Sequence, residues 1–292
     1  MKKYAMIFTA CFVIVALLMF FQLVSMIITP PAFNPSDLKI PDGAVSFKTE
    51  NDIGQTIPAW YYKGENDRGT IVLCHGHGVD HRNYHNVIPI FQKMKIGIIL
   101  CDFRAHGSAG GKYTSIGMEE WKDLKAVIEK AYQIGYLQQN QQLAAYGRSM
   151  GAAILANGSA HIPQITAFIL ESCFAELRII AARDGKRLMN LPDTFLTDIV
   201  FYSARLLSGY EYFNNKPIES VKGIASRPLL LIHDQLDPRA TTEDFERFKK
   251  IMPNAATLVV PDAGHVCAFE KAPEKFEEEV RKILKAGKLN PF

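Results

Sequence analysis

Residues 143–156, "LAAYGRSMGAAILA", place one serine between two glycines at a change in residue pattern. The segment opens with apolar residues typical of a buried strand and closes with small apolar residues that favour a tightly packed helix. A Gly-x-Ser-x-Gly pentapeptide at such a boundary is typical of a sharp turn that exposes a serine hydroxyl. Glycine and serine are common in turns of every kind, so the pentapeptide alone also fits an ordinary strand-to-helix connection. The rest of the chain has to decide between the two interpretations.

Ser149 can act as a nucleophile only if a base and an acid reach it, because a serine hydroxyl is weakly nucleophilic until its proton is removed. Asp237 follows the apolar run "RPLLLIHD" and His265 follows "ATLVVPD", so each comes just past the end of a predicted strand. Open α/β sheets bind ligands at that edge. The sequence therefore predicts a triad of Ser149, His265 and Asp237, with Asp234 and Asp262 as the rival acids.

The elements around this segment predict a mostly parallel sheet flanked by helices. Short apolar runs at 70–76 and 96–103 are typical of strands covered on both faces, and helical patterns occupy 82–95 and 115–133. Strands that alternate with helices indicate βαβ units, and two alternating segments before them predict an antiparallel pair. The alternation pauses from about 174 to 223, which predicts a helical lid inserted over the sheet.

The first 29 residues, 1–29, predict a transmembrane anchor. After Lys2 and Lys3, positions 4–28 carry no charged residue, and about 20 residues suffice to span a bilayer. No clear cleavage site precedes Pro30, so an uncleaved anchor is favoured over a signal peptide. The two lysines before the segment predict a single-pass protein with its N-terminus in the cytoplasm and its main domain on the extracytoplasmic side.

The segments after the anchor are predicted from composition. Residues 30–42 contain four prolines and indicate an extended linker. Residues 43–292 are then expected to form the α/β domain with its lid. The cysteines of that domain lie in apolar surroundings and are interpreted as buried thiols, which argues weakly against an oxidising compartment.

Charge and histidine content limit the partners. The formal net charge is +3, and the basic residues form no cluster of the kind that nucleic acid binding requires, so no nucleic acid partner is predicted.

Four histidines, at positions 75, 77, 81 and 85, suggest a metal site, but no cysteine or carboxylate pattern completes one. We therefore predict neither a metal nor an organic cofactor.

Five motifs in order resemble those of the α/β-hydrolase superfamily: "VLCHGHG", "CDFRAHGSAGG", "GRSMG", "LLLIHDQLDP" and "PDAGH". The resemblance runs from about Val45 to the C-terminal helix. With its N-terminal apolar segment, the chain most resembles membrane-anchored Bem46-type or serine-aminopeptidase-like hydrolases. One departure is that Asp234 stands where such chains usually have a glycine, which makes the choice of acid less secure.

The resemblance implies a serine hydrolase that cleaves a carboxylic ester or related acyl bond of a small molecule. Ser149 would form an acyl-enzyme, His265 would act as base and then acid, and Asp237 would orient the histidine. The backbone N–H of Met150 would be one oxyanion donor, and that of His77, or alternatively Gly76, the other.

Two other functions and one residue role stay open at this point. The same triad could serve a serine peptidase that acts on small peptides, and the fold without catalysis could serve as a binding scaffold. Arg148, next to the serine, is interpreted as a member of a buried ion pair rather than a substrate ligand, but the sequence does not name its partner.

Overall fold

The computed structural model describes residues 2–31, 42–65, 68–190 and 195–291. Most of the predicted linker, 30–42, lies outside these ranges. The apolar runs of the sequence become eight strands because continuous β-branched and aliphatic residues suit positions that are covered on both faces of a sheet. The strands are β1 (Val45–Glu50), β2 (Thr56–Tyr62), β3 (Thr70–Cys74), β4 (Gly97–Cys101), β5 (Leu143–Arg148), β6 (Ile165–Glu171), β7 (Leu229–Asp234) and β8 (Ala256–Val260).

The strands form one sheet in the order β1-β2-β4-β3-β5-β6-β7-β8. β1 and β2 pair antiparallel, as the sequence predicts, and β2 also runs antiparallel to β4. All the remaining pairs are parallel. The α/β-hydrolase fold predicted from the sequence is therefore confirmed. The parallel strands β5, β7 and β8 end at the same edge of the sheet, and the candidate residues follow these three ends.

Ten α-helices accompany the sheet in the described residues. They are α1 (Lys2–Ile28), α2 (Ile88–Lys93), α3 (Trp121–Gln133), α4 (Met150–Gly158), α5 (Leu177–Met189), α6 (Phe195–Ser208), α7 (Pro217–Ser220), α8 (Thr242–Ile251), α9 (Ala268–Lys271) and α10 (Pro273–Ala286). Apolar side chains of α3, α4 and α8 form a core on one face of the sheet. Those of α2 and α10 form the core on the other face. The sheet is thereby covered on both faces.

Two predicted helices are shorter than expected. The helix predicted over 82–95 is divided into a 3₁₀ turn, His81–Tyr84, and α2, which has Pro89 in its first turn. Proline starts a new helix readily because its missing N–H is not needed there. The helix predicted over 115–133 begins only at Trp121, since the buried carboxylate of Glu120 accepts hydrogen bonds from the backbone N–H groups of Ser115 and Gly117 and holds the preceding residues in a loop.

α1 is attached to the rest of the protein by its C-terminal end. Val24 and Ile28 are buried against side chains of α4, α5 and α6. The last carbonyls of a helix have no partner within it. Here Thr114 N–H donates to the Ile28 carbonyl at 3.0 Å, and a Cβ on Gly78 would lie 3.7 Å from Cδ of Pro31, which follows the helix. In the described residues α1 is the one helix that is long and apolar enough to cross a membrane.

The cysteine prediction is confirmed for three residues of the domain, since Cys74, Cys101 and Cys173 are buried free thiols. Cys267 is also free but only partly buried.

Candidate active site

Ser149 lies on the turn between β5 and α4 in a backbone conformation that side chains rarely adopt, with φ 53° and ψ −114°. The flanking glycines make that turn possible. A Cβ on Gly151 would lie 1.7 Å from the Cys74 carbonyl oxygen, and one on Gly147 would lie 2.4 Å from the carbonyl of Gly151. Because the obstructing atoms are backbone, they cannot move aside cheaply. The pentapeptide is therefore a strained turn and not an ordinary connection.

The three side chains predicted as a triad lie in one line of hydrogen bonds. His265 Nε2 is 2.9 Å from Ser149 Oγ. Its other ring nitrogen, Nδ1, is 2.7 Å from Asp237 Oδ2. When the Nδ1–H of the histidine donates a hydrogen bond to the aspartate, the lone pair of Nε2 faces the serine. A general base requires this arrangement.

Asp237 is held as a carboxylate. Its Oδ1 accepts hydrogen bonds from the backbone N–H groups of Arg239 at 2.8 Å and Ala240 at 3.1 Å. Burial by itself raises the pKa of Asp237, but the hydrogen bond and charge of His265, together with the Arg239 N–H, outweigh it and lower the pKa below its ordinary value. An ionised carboxylate is the form that stabilises an imidazolium.

The two rival acids, Asp234 and Asp262, have other local roles. Asp234 Oδ2 accepts a hydrogen bond from Ser172 Oγ at 2.7 Å and one from the Val266 N–H at 3.2 Å. Burial, reinforced by the nearby Glu171, raises the pKa of Asp234 to about 7. Asp262 has φ 56° in the turn after β8, where a local turn role accounts for it. The geometry therefore favours Asp237 over both rivals.

The backbone around the serine offers two candidate oxyanion donors. Met150 is the first residue of α4, so its N–H is one of the helix donors that have no partner within the helix. The loop after β3 adjoins the serine directly, because a Cβ on Gly76 would lie 3.6 Å from Ser149 Cβ. His77 follows in the same loop. The position of this loop fits both predicted second donors, His77 and Gly76.

The histidines of that loop are neutral. His75 is fully buried, with Nδ1 2.8 Å from the Gly76 carbonyl and Nε2 accepting from the Phe103 N–H at 3.1 Å. Its role is to fix the loop. Burial, followed by the charge of Arg239, lowers the pKa of His77 to about 4.

Arg148 forms the buried ion pair that the sequence suggests without naming its partner. The partner is Glu171 at the end of β6, with Arg148 Nε 3.2 Å from its Oε2. The guanidinium also donates to the hydroxyl of Tyr146 at 2.8 Å and to the Asn83 carbonyl at 2.9 Å. These contacts compensate the buried charge, although Nη2 of Arg148 has no hydrogen-bond partner in the described part of the chain.

Sequence reasoning overlooked two residues that support the site. The Glu171 carbonyl accepts the Ser149 N–H at 2.9 Å, and its Oε1 accepts the Ala268 N–H at 3.1 Å, so Glu171 connects the serine turn to the histidine loop. Ser172 has φ 52° and its Oγ accepts the Val266 N–H at 3.2 Å. A glutamate at the end of an otherwise apolar strand, in "FILES", was the available signal, because a buried carboxylate needs a cation or several donors.

One group of side chains could in principle hold a metal ion. Potential ligand atoms of Asp80, His81 and Asp102 lie within 4.8 Å of one another. However, Asp102 Oδ1 accepts from the backbone N–H and Nδ1 of His81, and Asp80 forms an ion pair with Arg82. Hydrogen bonding within the protein accounts for this cluster, which does not include Ser149 or His265. The absence of a metal cofactor stays a prediction.

This sheet, turn and residue order define an α/β-hydrolase. The model of the serine aminopeptidase S33 family matches residues 65–263, and the chain belongs to that family.

Several other proteins are similar to this chain in sequence or in structure. An uncharacterised protein of Bacillus subtilis, YqkD, is 25% identical over 250 residues, which cover 82% of this chain and 78% of YqkD. The Pyrococcus furiosus esterase Pf2001 is 26% identical in sequence with a TM-score of 0.69, and the match covers 88% of this chain and 98% of the esterase. An acylaminoacyl peptidase of Pyrococcus horikoshii shares the fold at 15% identity and a TM-score of 0.62, and the match covers 88% of this chain and 43% of the peptidase.

Proposed function

We propose that the protein is a serine hydrolase that cleaves carboxylic esters or related acyl bonds through Ser149, His265 and Asp237. The observation that carries the proposal is the continuous line from Ser149 Oγ to His265 at 2.9 Å and on to Asp237 at 2.7 Å, built on a strained turn. Structural packing alone gives no reason for this alignment of a hydroxyl, an imidazole and a carboxylate.

In this mechanism His265 Nε2 takes the Ser149 proton as Oγ attacks the substrate carbonyl carbon. The carbonyl oxygen becomes an oxyanion, which accepts hydrogen bonds from the N–H of Met150 and from that of His77 or Gly76. The imidazolium, stabilised by ionised Asp237, then gives its proton to the leaving alkoxide. Water, deprotonated by His265, attacks the resulting acyl-enzyme and releases the carboxylic acid, which restores Ser149.

The likeness to an esterase at 26% identity supports an ester substrate over a peptide. The three arginines of α5 are paired with acids, Arg178 with Asp198, Arg183 with Asp244 and Arg187 with Asp184. None of these three is therefore an uncompensated cation for the carboxylate of a peptide C-terminus.

The ester assignment is tested with matched chromogenic substrates on the purified full chain. We expect p-nitrophenyl esters to be cleaved and aminoacyl p-nitroanilides to be left intact. A series of acyl chains from acetate to laurate then gives the length preference. Cleavage of the anilides would favour the peptidase alternative, and no turnover of either substrate would favour the binding scaffold.

We further propose that α1 anchors the protein in a membrane as a single span, with residues 174–223 as a lid and the domain 43–292 on the extracytoplasmic side. The length and composition of α1 support the span, and Lys2 and Lys3 before it support the orientation. We expect an alkaline phosphatase fused to the C-terminus to be active, because that enzyme requires an oxidising compartment. An inactive phosphatase fusion with an active cytoplasmic reporter at the same position would reverse the orientation.

A further inference from the structure

One face of α6 carries a row of exposed apolar side chains. Phe195, Ile199, Tyr202 and Leu206 recur at helical spacing and form what we call the α6 stripe. They are 69%, 38%, 61% and 76% exposed. The opposite face of α6 is buried through Phe201 and Ala204. A contiguous row of exposed apolar side chains on a soluble protein marks a surface that meets another apolar phase.

The helix that carries the α6 stripe packs next to the anchor. The buried face of α6 packs in the same cluster as Val24 and Ile28 of α1. The two helices are therefore neighbours, and any bilayer that surrounds α1 comes close to α6.

The length of α1 leaves room for this contact outside the hydrocarbon. Its 27 residues extend about 40 Å at 1.5 Å per residue, whereas the hydrocarbon core is about 30 Å thick. About two turns of α1 can therefore reach beyond the hydrocarbon. We assign these turns to the C-terminal end, because Val24 and Ile28 are buried there against the domain and not open to lipid, and this assignment puts the part of the protein that packs on them at the headgroup level.

We propose that the α6 stripe lies in the membrane interface beside α1, so that the lid rests on the bilayer and the active site is positioned for acyl esters carried by the membrane. The proposal rests on the membrane anchorage and ester cleavage proposed above. Tyr202 suits such a position because its ring is apolar and its hydroxyl reaches water, as in the aromatic belts of membrane proteins.

The loop that carries His77 lies beside the same helix end. A Cβ on Gly78, the next residue, would lie 3.7 Å from Cδ of Pro31, which follows α1, and Thr114 N–H donates to the Ile28 carbonyl at 3.0 Å. The anchor thus holds both the lid and the loop of a candidate oxyanion donor. This arrangement fixes the orientation of the site relative to the bilayer.

Tryptophan fluorescence in brominated lipid tests the contact. Full-length Ile199→Trp is reconstituted in vesicles of phosphatidylcholine brominated on its acyl chains, with non-brominated vesicles as reference. The matched control is Ile134→Trp, since Ile134 is also 38% exposed but lies at the end of α3, at the opposite edge of the sheet. The constant emission of Trp60 and Trp121 is subtracted with the wild-type protein.

We expect the added emission of Ile199→Trp to be mostly lost in brominated vesicles and that of Ile134→Trp to be retained. Equal retention in both variants would overturn the proposal. Blue-shifted emission at position 199 without quenching would also overturn it, because it would indicate a protein partner such as a second copy of the chain. Failure of the wild type to float with vesicles would refute the anchorage itself.

A kinetic measurement separates this proposal from the proposed chemistry. For Ile199→Glu/Leu206→Glu we expect kcat/KM on a long-chain ester embedded in phosphatidylcholine vesicles to fall about tenfold or more, while that on soluble p-nitrophenyl acetate stays at the wild-type value. Unchanged activity on both substrates, or a parallel loss on both, would overturn the membrane contact. A wild-type protein inactive on the soluble ester would refute the proposed catalysis instead, and the quenching result would still decide the contact.

Discussion

Ser149→Ala is expected to abolish ester hydrolysis, with kcat reduced on the order of 10⁴- to 10⁶-fold. The reason is that Ser149 Oγ is the hydroxyl that lies 2.9 Å from His265 Nε2. The variant should fold, since the turn conformation depends on Gly147 and Gly151 and the serine hydroxyl takes no part in capping α4. Labelling of the full-length protein by a fluorescent fluorophosphonate measures the same nucleophile directly, and we expect that labelling to disappear.

Ser159→Ala is the matched control. Ser159 terminates the same helix, and its hydroxyl bonds only to the carbonyls of Ala156 and Ser220. We expect this variant to be labelled like the wild type. Fluorophosphonate labelling that persists in Ser149→Ala at the wild-type rate would show that another residue is the nucleophile, and the proposed mechanism would have to be abandoned.

Asp237→Asn is expected to have the second largest effect, a loss of about 10⁴-fold in kcat. The amide of asparagine can donate its N–H to His265 Nδ1, which favours the tautomer with the proton on Nε2. In that tautomer Nε2 is a hydrogen-bond donor toward Ser149 and cannot accept the serine proton. The lost negative charge also leaves the imidazolium without its partner at 2.7 Å. Steady-state kinetics on a soluble p-nitrophenyl ester measure the loss.

Asp234→Asn distinguishes the two candidate acids. Asp234 bonds to Ser172 and Val266 rather than to the His265 ring, and its raised pKa means that a neutral side chain already occupies the site below about pH 7. We expect kcat/KM to change by only a few fold. If Asp234→Asn lost most of its activity while Asp237→Asn kept the activity of the wild type, the acid of the triad would be Asp234.

The same variant should alter the pH dependence of stability. The folded-state pKa of Asp234, about 7, lies above the unfolded value of 3.8, so its protonation stabilises the folded state at low pH and this contribution is lost as pH rises toward 7. Asp234→Asn removes that dependence. Relative to the variant, the wild type should lose about 1–3 kcal/mol between pH 5 and 7, measured by thermal unfolding in detergent.

Much of the fold was predictable because it depends on local patterns. Continuous apolar runs such as 70–76 identify covered parallel strands, and the order of strands and helices allows few topologies. The glycines around Ser149 predict a turn at this point, and the later motifs favour the strained form. The helix boundaries near Glu120 were missed because a buried carboxylate bonds to the preceding backbone, and helical periodicity contains no trace of such a bond.

By itself, the sequence determined the α/β-hydrolase fold, the apolar N-terminal helix and two of the candidate catalytic residues, Ser149 and His265, because each shows in a local residue pattern. Only the tertiary structure separated Asp237 from Asp234, since the two are three residues apart and the choice depends on which carboxylate faces the ring of His265. It also found Glu171 as the partner of Arg148. Finally, it brought the end of α1 against the lid and left the α6 stripe exposed beside it, a contact between residues nearly 180 positions apart that no local pattern encodes.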